Sequence, residues 1–415
     1  MTATGPDLLL TNATVLDPEA GKHTPDSRIL VHDGEITEIG SSGVIAPRAA
    51  RVIDVRGMTV LPGLVDAHVH VTAVTADLTA QAEWSPNYVA LRSALVLRDM
   101  LCRGFTTVRD VGGADFGIAD AVDEGVVPGP RVLFGGKALS QTGGHADLRH
   151  RGRTVADHHR CCPSLGLVCD GVDAVRRAAR EQLRTGAHHV KIMLSGGVAS
   201  PTDRIDSTQF SLDEIRAVVE EAGAANRYVA GHAYTARAVN RGLAAGVRSI
   251  EHGNLLDESC VRLFREHDAF YVPTLVTYQA LAAEGPANGL PNDSHRKVGA
   301  VLEQGMGALE LAHRGDVNLV FGTDLLGGMH RHQLTEFRLR AEVQPAIDVI
   351  RSATVTAARL LGLEGRIGRL VPGAWADLFV VDGDPVADIG VLTAPDKHLK
   401  LVMKAGVVHV DRVTP

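Results

Sequence analysis

Apolar and polar positions divide the chain into two β-rich ends and a middle that reads differently. Residues 8–15 and 27–39 are short runs rich in strand formers, and Asp33-Gly34 within the second carries the signature of a tight hairpin turn. Val52-Ile53-Asp54-Val55 follows, and residues 376–382 and 402–410 repeat the β-rich character near the other end. Two such ends around a different middle predict one discontinuous β domain of sandwich type, built from residues 1–58 and 361–415. The middle, 59–360, alternates short apolar runs with longer helical patterns. Candidate strands are 60–66, 106–109, 131–135, 189–194, 228–231, 249–251, 270–273 and 318–322. Helical patterns include 173–185, 212–225, 235–245 and 302–313, and Ser211-Leu-Asp-Glu214 is a capping box that opens one of them. Eight strands alternating with helices predict an α/β fold, a (β/α)8 TIM barrel. The stretch 140–170, rich in Gly, His and Cys, reads as a long irregular connection of the kind that shapes an active site.

The first candidate strand, Thr59-Val-Leu-Pro-Gly-Leu-Val-Asp-Ala-His68-Val-His70, ends in His-x-His. Side chains in a strand alternate faces, so His68 and His70 point the same way and offer half of a metal site. The same pair also occurs on solvated strands, so its meaning depends on what lies downstream.

Composition narrows the classes. The chain has 415 residues, 45% of them hydrophobic and 22% charged, enough for a large core. A net charge of −7 without long charged runs argues against nucleic acid or an anionic membrane as partner. The N-terminus lacks a signal-peptide pattern, and no run approaches the ~20 apolar residues that cross a bilayer. Five cysteines (Cys102, Cys161, Cys162, Cys169, Cys260) form no zinc-ribbon or disulfide pattern. They are expected to be reduced thiols in a soluble cytoplasmic protein. Cys161-Cys162, with His158-His159 nearby, is expected on a surface loop.

The remaining metal-type residues fall at the C-terminal side of candidate strands, the face where barrel enzymes hold their chemistry. Lys191 lies in Val190-Lys-Ile-Met-Leu, His232 ends Ala230-Gly-His, His252 follows Ile250-Glu, and Asp324 ends Phe321-Gly-Thr-Asp. Taken singly, each has a plain structural role: a loop histidine, a salt-bridge lysine, an aspartate helix cap. Four histidines, one lysine and one aspartate converging from five strands are harder to obtain without a site.

At this point the chain resembles the amidohydrolase superfamily over nearly its whole length. The matching segments are Val60-Leu-Pro-Gly-Leu-Val-Asp-Ala-His-Val-His, Ser249-Ile-Glu-His-Gly-Asn, Phe321-Gly-Thr-Asp and Gly365-Arg-Ile-Gly-Arg-Leu-Val-Pro-Gly-Ala-Trp-Ala-Asp-Leu. The resemblance implies two divalent metal ions, Zn²⁺ before Mn²⁺, Co²⁺ or Fe²⁺, bridged by a CO₂-derived carbamate on Lys191. His68, His70 and Asp324 would hold the buried ion, and His232 and His252 the exposed one. It further implies hydrolysis of an amide C–N bond, with Asp324 as general base and then acid.

Val190-Lys-Ile-Met-Leu-Ser-Gly-Gly-Val-Ala-Ser-Pro-Thr-Asp, followed by Gly231-His-Ala-Tyr234, most resembles the dipeptidase group. Its members are Xaa-Pro and Xaa-Lys/Arg dipeptidases and N-acyl amino acid carboxypeptidases, which release a C-terminal amino acid. Gln141-Thr-Gly-Gly-His145 resembles the loop whose histidine contacts the reacting carbonyl. By the same resemblance Tyr234 would donate to the substrate carboxylate. Arg204 is a second candidate for that carboxylate, His330 and His332 are candidate contacts, and Glu336 is a candidate for a substrate ammonium. The expected partner is a small molecule, and homo-oligomers are common in this superfamily. An imidazolonepropionase-like enzyme, a lactone or organophosphate hydrolase, and an inactive scaffold remain as alternatives. The first of these has no call for Lys191, and the last usually lacks ligands that are all present here.

Overall fold

A computed structural model describes residues 7–153 and 163–413. The His158-His159 and Cys161-Cys162 pairs lie outside the described residues. Strands from both ends of the chain hydrogen-bond into one mixed sheet of eight. The Asp33-Gly34 turn joins strands Lys22–His32 and Glu35–Gly40, with both turn residues in the left-handed region at φ 49° and 78°. Strand Thr59–Pro62 pairs parallel to Leu8–Asp17 and antiparallel to Leu378–Val381, with Val60 opposite Val380. Leu10, Ile29, Ile53, Val60, Leu378, Val380 and Leu401 form the apolar core of this sheet.

The run 60–66, expected as one strand, is two. At Gly63 the chain leaves the terminal sheet, and strand Leu64–Val69 starts a parallel sheet with Phe105–Asp110 and Arg131–Phe134. A Cβ at Gly63 would lie 2.1 Å from Thr106 Oγ1, so the crossing needs glycine. The second parallel sheet holds seven strands: Gly166–Val168, Ala138–Ser140, His189–Met193, Tyr228–Thr235, Ser249–Leu255, Phe270–Val272 and Asn318–Leu319. Its first two strands fall inside the stretch 140–170 or at its edge, which alternates too briefly to be read as strand from sequence. Backbone hydrogen bonds link the two parallel sheets at both ends: Ala67 N to Phe321 O at 2.8 Å, and His188 N to Phe134 O at 2.9 Å.

Helices Val172–Arg184, Leu212–Ala224, Ala236–Ala244, Glu258–Glu266 and Asn292–Arg314 follow or separate these strands. They bury residues such as Val175, Ile215, Val239, Phe264 and Leu309 against Val190, Val229 and Ile250. The expected capping box is formed: Ser211 Oγ accepts from Glu214 N, and the Glu214 carboxylate accepts from Ser211 N. The fold is thus α/β with parallel sheets, as the sequence pattern predicts. No helix among the described residues is long and apolar enough to cross a membrane. Cys102, Cys169 and Cys260 are free thiols, and burial pushes the Cys260 thiol up to about 11.

Candidate metal centre

Three side chains converge where the first strand of one parallel sheet meets the end of the other. His68, on strand Leu64–Val69, and His70 just past it bring their Nε2 atoms to 3.4 and 3.3 Å from Asp324 Oδ1. Asp324 is held there by its own backbone, whose N–H donates to His68 O at 2.8 Å with φ at 53°. The preceding Thr323 donates from both N and Oγ1 to buried Asp66, which also accepts from Gln333 Nε2. His68, His70 and Asp324 offer ligand atoms all within 4.8 Å of one another.

The ring nitrogens are sorted by their second partners. His68 Nδ1 lies 2.7 Å from Glu251 Oε2, and His70 Nδ1 lies 2.7 Å from Gly112 O. Both rings then donate from Nδ1 and leave the Nε2 lone pair for a cation. The Nε2 of His68 is buried without a hydrogen-bond partner, an orphan that a metal ion would satisfy. His252 Nδ1 sits 2.8 Å from Thr274 Oγ1, whereas His232 uses Nε2, 3.1 Å from Gly196 O. The His252 ring centroid is 4.8 Å from His68 and 4.6 Å from His232. Lys191, almost fully buried, lines the same cavity and forms no hydrogen bond or ion pair among the described residues. Burial pushes its amine down to about 8. Three or more imidazoles, a carboxylate and an unpartnered amine are a donor set that suits divalent ions of the zinc type.

Strand alternation does not account for Glu251 and His252 both reaching His68. His252 has φ 74°, and this left-handed turn of the backbone brings two successive residues to the same side. Glu251 also takes both Nη2 bonds from Arg109, at 2.8 and 2.9 Å, and all three side chains are fully buried. Burial alone would raise the Glu251 carboxylate, but Arg109 and His68 overcome it and hold it well below the usual range. Asp324 behaves alike: burial raises it, and His68 and His70 bring it well below. Arg109 and Asp66 carry no metal-type signal of their own, and sequence reasoning missed both. Glu251 stood inside a recognised segment without a role.

A cavity opens over these groups. Its walls are apolar at Leu78, Leu148, Leu165, Val198, Leu281 and Leu326, and its polar lining adds His145, Tyr234 and Tyr278. His145 stacks on His232 with centroids 4.1 Å apart, and its Nδ1 is 2.8 Å from Ser200 Oγ. Burial pushes His145 down to about 4, so the ring is neutral near pH 7. Ser200 is hydrogen-bonded in turn to Asp203, which also accepts from Gly197 N. Lys297 Nζ donates to Gly197 O and Ser200 O. Lys297, on a distant helix, thereby fixes the loop that faces His145, a role no local pattern reveals.

Four expected substrate contacts are not delivered. Arg204 is 82% exposed and paired with Asp206 at 2.8 Å, outside the cavity. His330 is buried with Nε2 3.2 Å from Ala73 O. His332 pairs with Glu284. Glu336 is fully buried away from the cavity lining, accepting from Val276 N and Arg340 Nε at 2.7 and 2.9 Å. Arg204 is claimed by Asp206 two residues on, whereas His330, His332 and Glu336 meet partners remote in sequence in Ala73, Glu284 and Val276.

Comparison with known proteins agrees with this geometry. Residues 59–408 match the model of the amidohydrolase family. A prolidase crystallised with N-methylphosphonate-L-proline is 47% identical, with a TM-score of 0.94, covering 97% of this chain and 99% of its own. A Xaa-Pro dipeptidase with methionine bound in its active site is 30% identical, with a TM-score of 0.87 over 97% and 99% of the two chains. Ochratoxinase from Aspergillus niger is 30% identical over 409 residues, 95% of this chain and 85% of that protein. The chain belongs to the amidohydrolase family. It is an enzyme of the hydrolase class that acts on amide C–N bonds.

Proposed function

We propose that this enzyme releases a C-terminal amino acid from a small amide, a dipeptide or an N-acyl amino acid with a free carboxylate. The observation that carries the reading is the convergence of His68, His70 and Asp324 with unpartnered Lys191 on the floor of an apolar-walled cavity. Two divalent ions, zinc by the chemistry of the donors, would be held by His68, His70 and Asp324 on one side and His232 and His252 on the other. Lys191, as its carbamate, would bridge them, since a carbamate offers two anionic oxygens where a neutral amine has one lone pair. Such ions supply a nucleophilic water near neutral pH and polarise the scissile carbonyl.

The chain's own residues do the rest. Asp324 accepts the proton of the attacking water and passes it to the leaving nitrogen. His145, whose Nδ1–H is taken by Ser200 Oγ, lines the cavity beside the carbonyl. Tyr234, raised by burial and so kept protonated, donates to the substrate carboxylate. The apolar walls accept an uncharged acyl or side-chain group, and the site offers no carboxylate besides Asp324 for a free ammonium among the described residues. That favours N-acyl amino acids over free dipeptides. The hydrogen bonds joining the two parallel sheets support one closed barrel over residues 59–360, with residues 1–58 and 361–415 as a separate β-sandwich domain.

A second reading, hydrolysis of an uncharged amide, is favoured by one observation. Lys191 is the sole cationic side chain lining the cavity among the described residues, so a substrate carboxylate would meet neutral donors. The deciding experiment is amino acid release from a panel of dipeptides, N-acyl amino acids and their C-terminal amides, with zinc-reconstituted enzyme and Asp324→Asn as control. Release from the acids that vanishes in the control supports the first reading. Turnover of the amides alone moves the assignment to the second.

A further inference from the structure

The loop between strand His189–Met193 and helix Leu212–Ala224 is tied down by an ion pair that the reaction as described does not use. The Asp203 side chain is 3% exposed. Its carboxylate accepts from Gly197 N at 3.1 Å, from Gln209 Nε2 at 3.0 Å and from Ser200 Oγ. Lys297 Nζ adds a fourth contact at 3.4 Å. The ammonium also donates to Gly197 O at 3.1 Å and to Ser200 O at 2.9 Å. All three protons of Lys297 are thus spent on this one loop.

Lys297 comes from another part of the fold. It stands on helix Asn292–Arg314, which lies beyond strand Phe270–Val272, three strands further along the sheet. A buried ion pair is no strong source of stability, so its place in the molecule is the more informative fact. That place is directly behind His145.

Each of the three neutral donors to Asp203 also bears on His145. Ser200 Oγ is 2.8 Å from the ring Nδ1, with Asp203 Oδ2 4.0 Å from the same nitrogen. Gln209 Oε1 accepts from His145 N at 2.9 Å. Gly197 lies against the ring, where only a residue without a side chain fits. The adjoining Gly196 O is 3.1 Å from Nε2 of His232, the imidazole on which His145 stacks. Removing the ammonium would strip two loop carbonyls of a donor and the buried carboxylate of its counter-charge, and free the loop to leave the ring.

We propose that Asp203 and Lys297 are positioning residues: through Ser200, Gly197 and Gln209 they hold the His145 ring in place at the wall of the reaction cavity. The inference rests on the reading of His145 as a group beside the scissile carbonyl. Neither Asp203 nor Lys297 lines the cavity, so their effect on turnover passes through the loop.

The test uses the full zinc-reconstituted chain and reads the ring directly, by carbethoxylation of histidines with diethyl pyrocarbonate. Tryptic cleavage gives residues 138–149 and 315–331, each with a single histidine, His145 and His330. His330 is buried on another loop and reports any general loosening. In Lys297→Met and in Asp203→Asn, His145 is expected to react several-fold faster than in the native chain, while His330 keeps its native rate. On the best substrate of the release panel both variants lower kcat about tenfold with little change in KM, the mark of lost transition-state positioning. Combining either with His145→Gln costs nothing beyond His145→Gln alone, a non-additive cycle. Native reactivity of His145 in both variants, an equal rise at His330, or additive losses in the cycle overturns the proposal. If His145→Gln alone keeps the native kcat, the reading of His145 beside the carbonyl fails instead, and the carbethoxylation rates still decide whether the pair holds the ring.

Discussion

Nδ1 of His68 and Oε2 of Glu251 lie 2.7 Å apart across 183 residues of sequence, both side chains fully buried. The contact does two things: it leaves Nε2 of His68 facing Asp324, and it gives buried Arg109 a counter-charge. Glu251→Gln keeps the shape and removes the charge. Metal affinity is expected to fall about 10- to 100-fold, as for other partners of ligating histidines. Stability is expected to fall by about 3–5 kcal/mol, because Arg109 is left buried and unpaired. Zinc titration and urea denaturation read the two effects separately, and native values in both would remove Glu251 from this role.

The proposed carbamate on Lys191 has a direct test. Lys191→Ala is expected to lose activity and one of the two proposed ions, with partial rescue by small carboxylic acids that replace the missing anionic oxygens. Metal analysis with and without added formate or acetate checks this. A fully active Lys191→Ala protein holding two ions would end the carbamate assignment.

His145 can be displaced without touching it. A Cβ at Gly197 would fall 1.9 Å from His145 Cε1, well inside van der Waals contact. Gly197→Ala is expected to push the ring off His232 and lower kcat at least tenfold, on the scale of a positioned acid–base group. Thermal stability should change little, because the cavity gives the ring room to move. Unchanged kcat would show that the stack of His145 on His232 does not serve the reaction.

His330 gives a prediction in pH. Burial pushes its ring down to about 4 in the folded chain, from an ordinary value of 6.5. Between those two values the unfolded chain binds a proton that the folded chain refuses. The stability contributed by neutral His330 is therefore complete above about pH 6.5 and is lost as the pH falls toward 4. His330→Gln is expected to flatten the decline of the unfolding midpoint over that window relative to the native protein. Parallel curves for the two proteins would assign the acid sensitivity to other groups.

His68 and His70 were legible because strand alternation puts them on one face at the end of an apolar strand, whereas Asp324 as their companion, and Lys191, His232 and His252 as further candidates, came from the resemblance of their segments to the amidohydrolase superfamily. The hairpin at Asp33-Gly34 and the capping box at Ser211 were equally local, and both formed. Arg204 is taken by Asp206 only two residues on, and Glu336 in part by Arg340 one helical turn away, whereas the Ala73 carbonyl beside His330 and the Val276 N–H on Glu336 come from far along the chain. The split at Gly63 was passed over because both halves of the run are apolar, although Pro62-Gly63 between them is a turn signal.

The sequence by itself determined most of the elements and which side chains stand at their ends, since propensity, alternation and turn chemistry act over a few residues. Tertiary structure alone decided which nitrogen of each histidine is free, which charges are already spent, and how the cavity is walled. Those properties depend on partners tens to hundreds of residues away: Glu251 for His68, Thr274 for His252, Lys297 for the loop against His145. A proton's position on a buried ring is set by its nearest acceptor, and only folding brings that acceptor near.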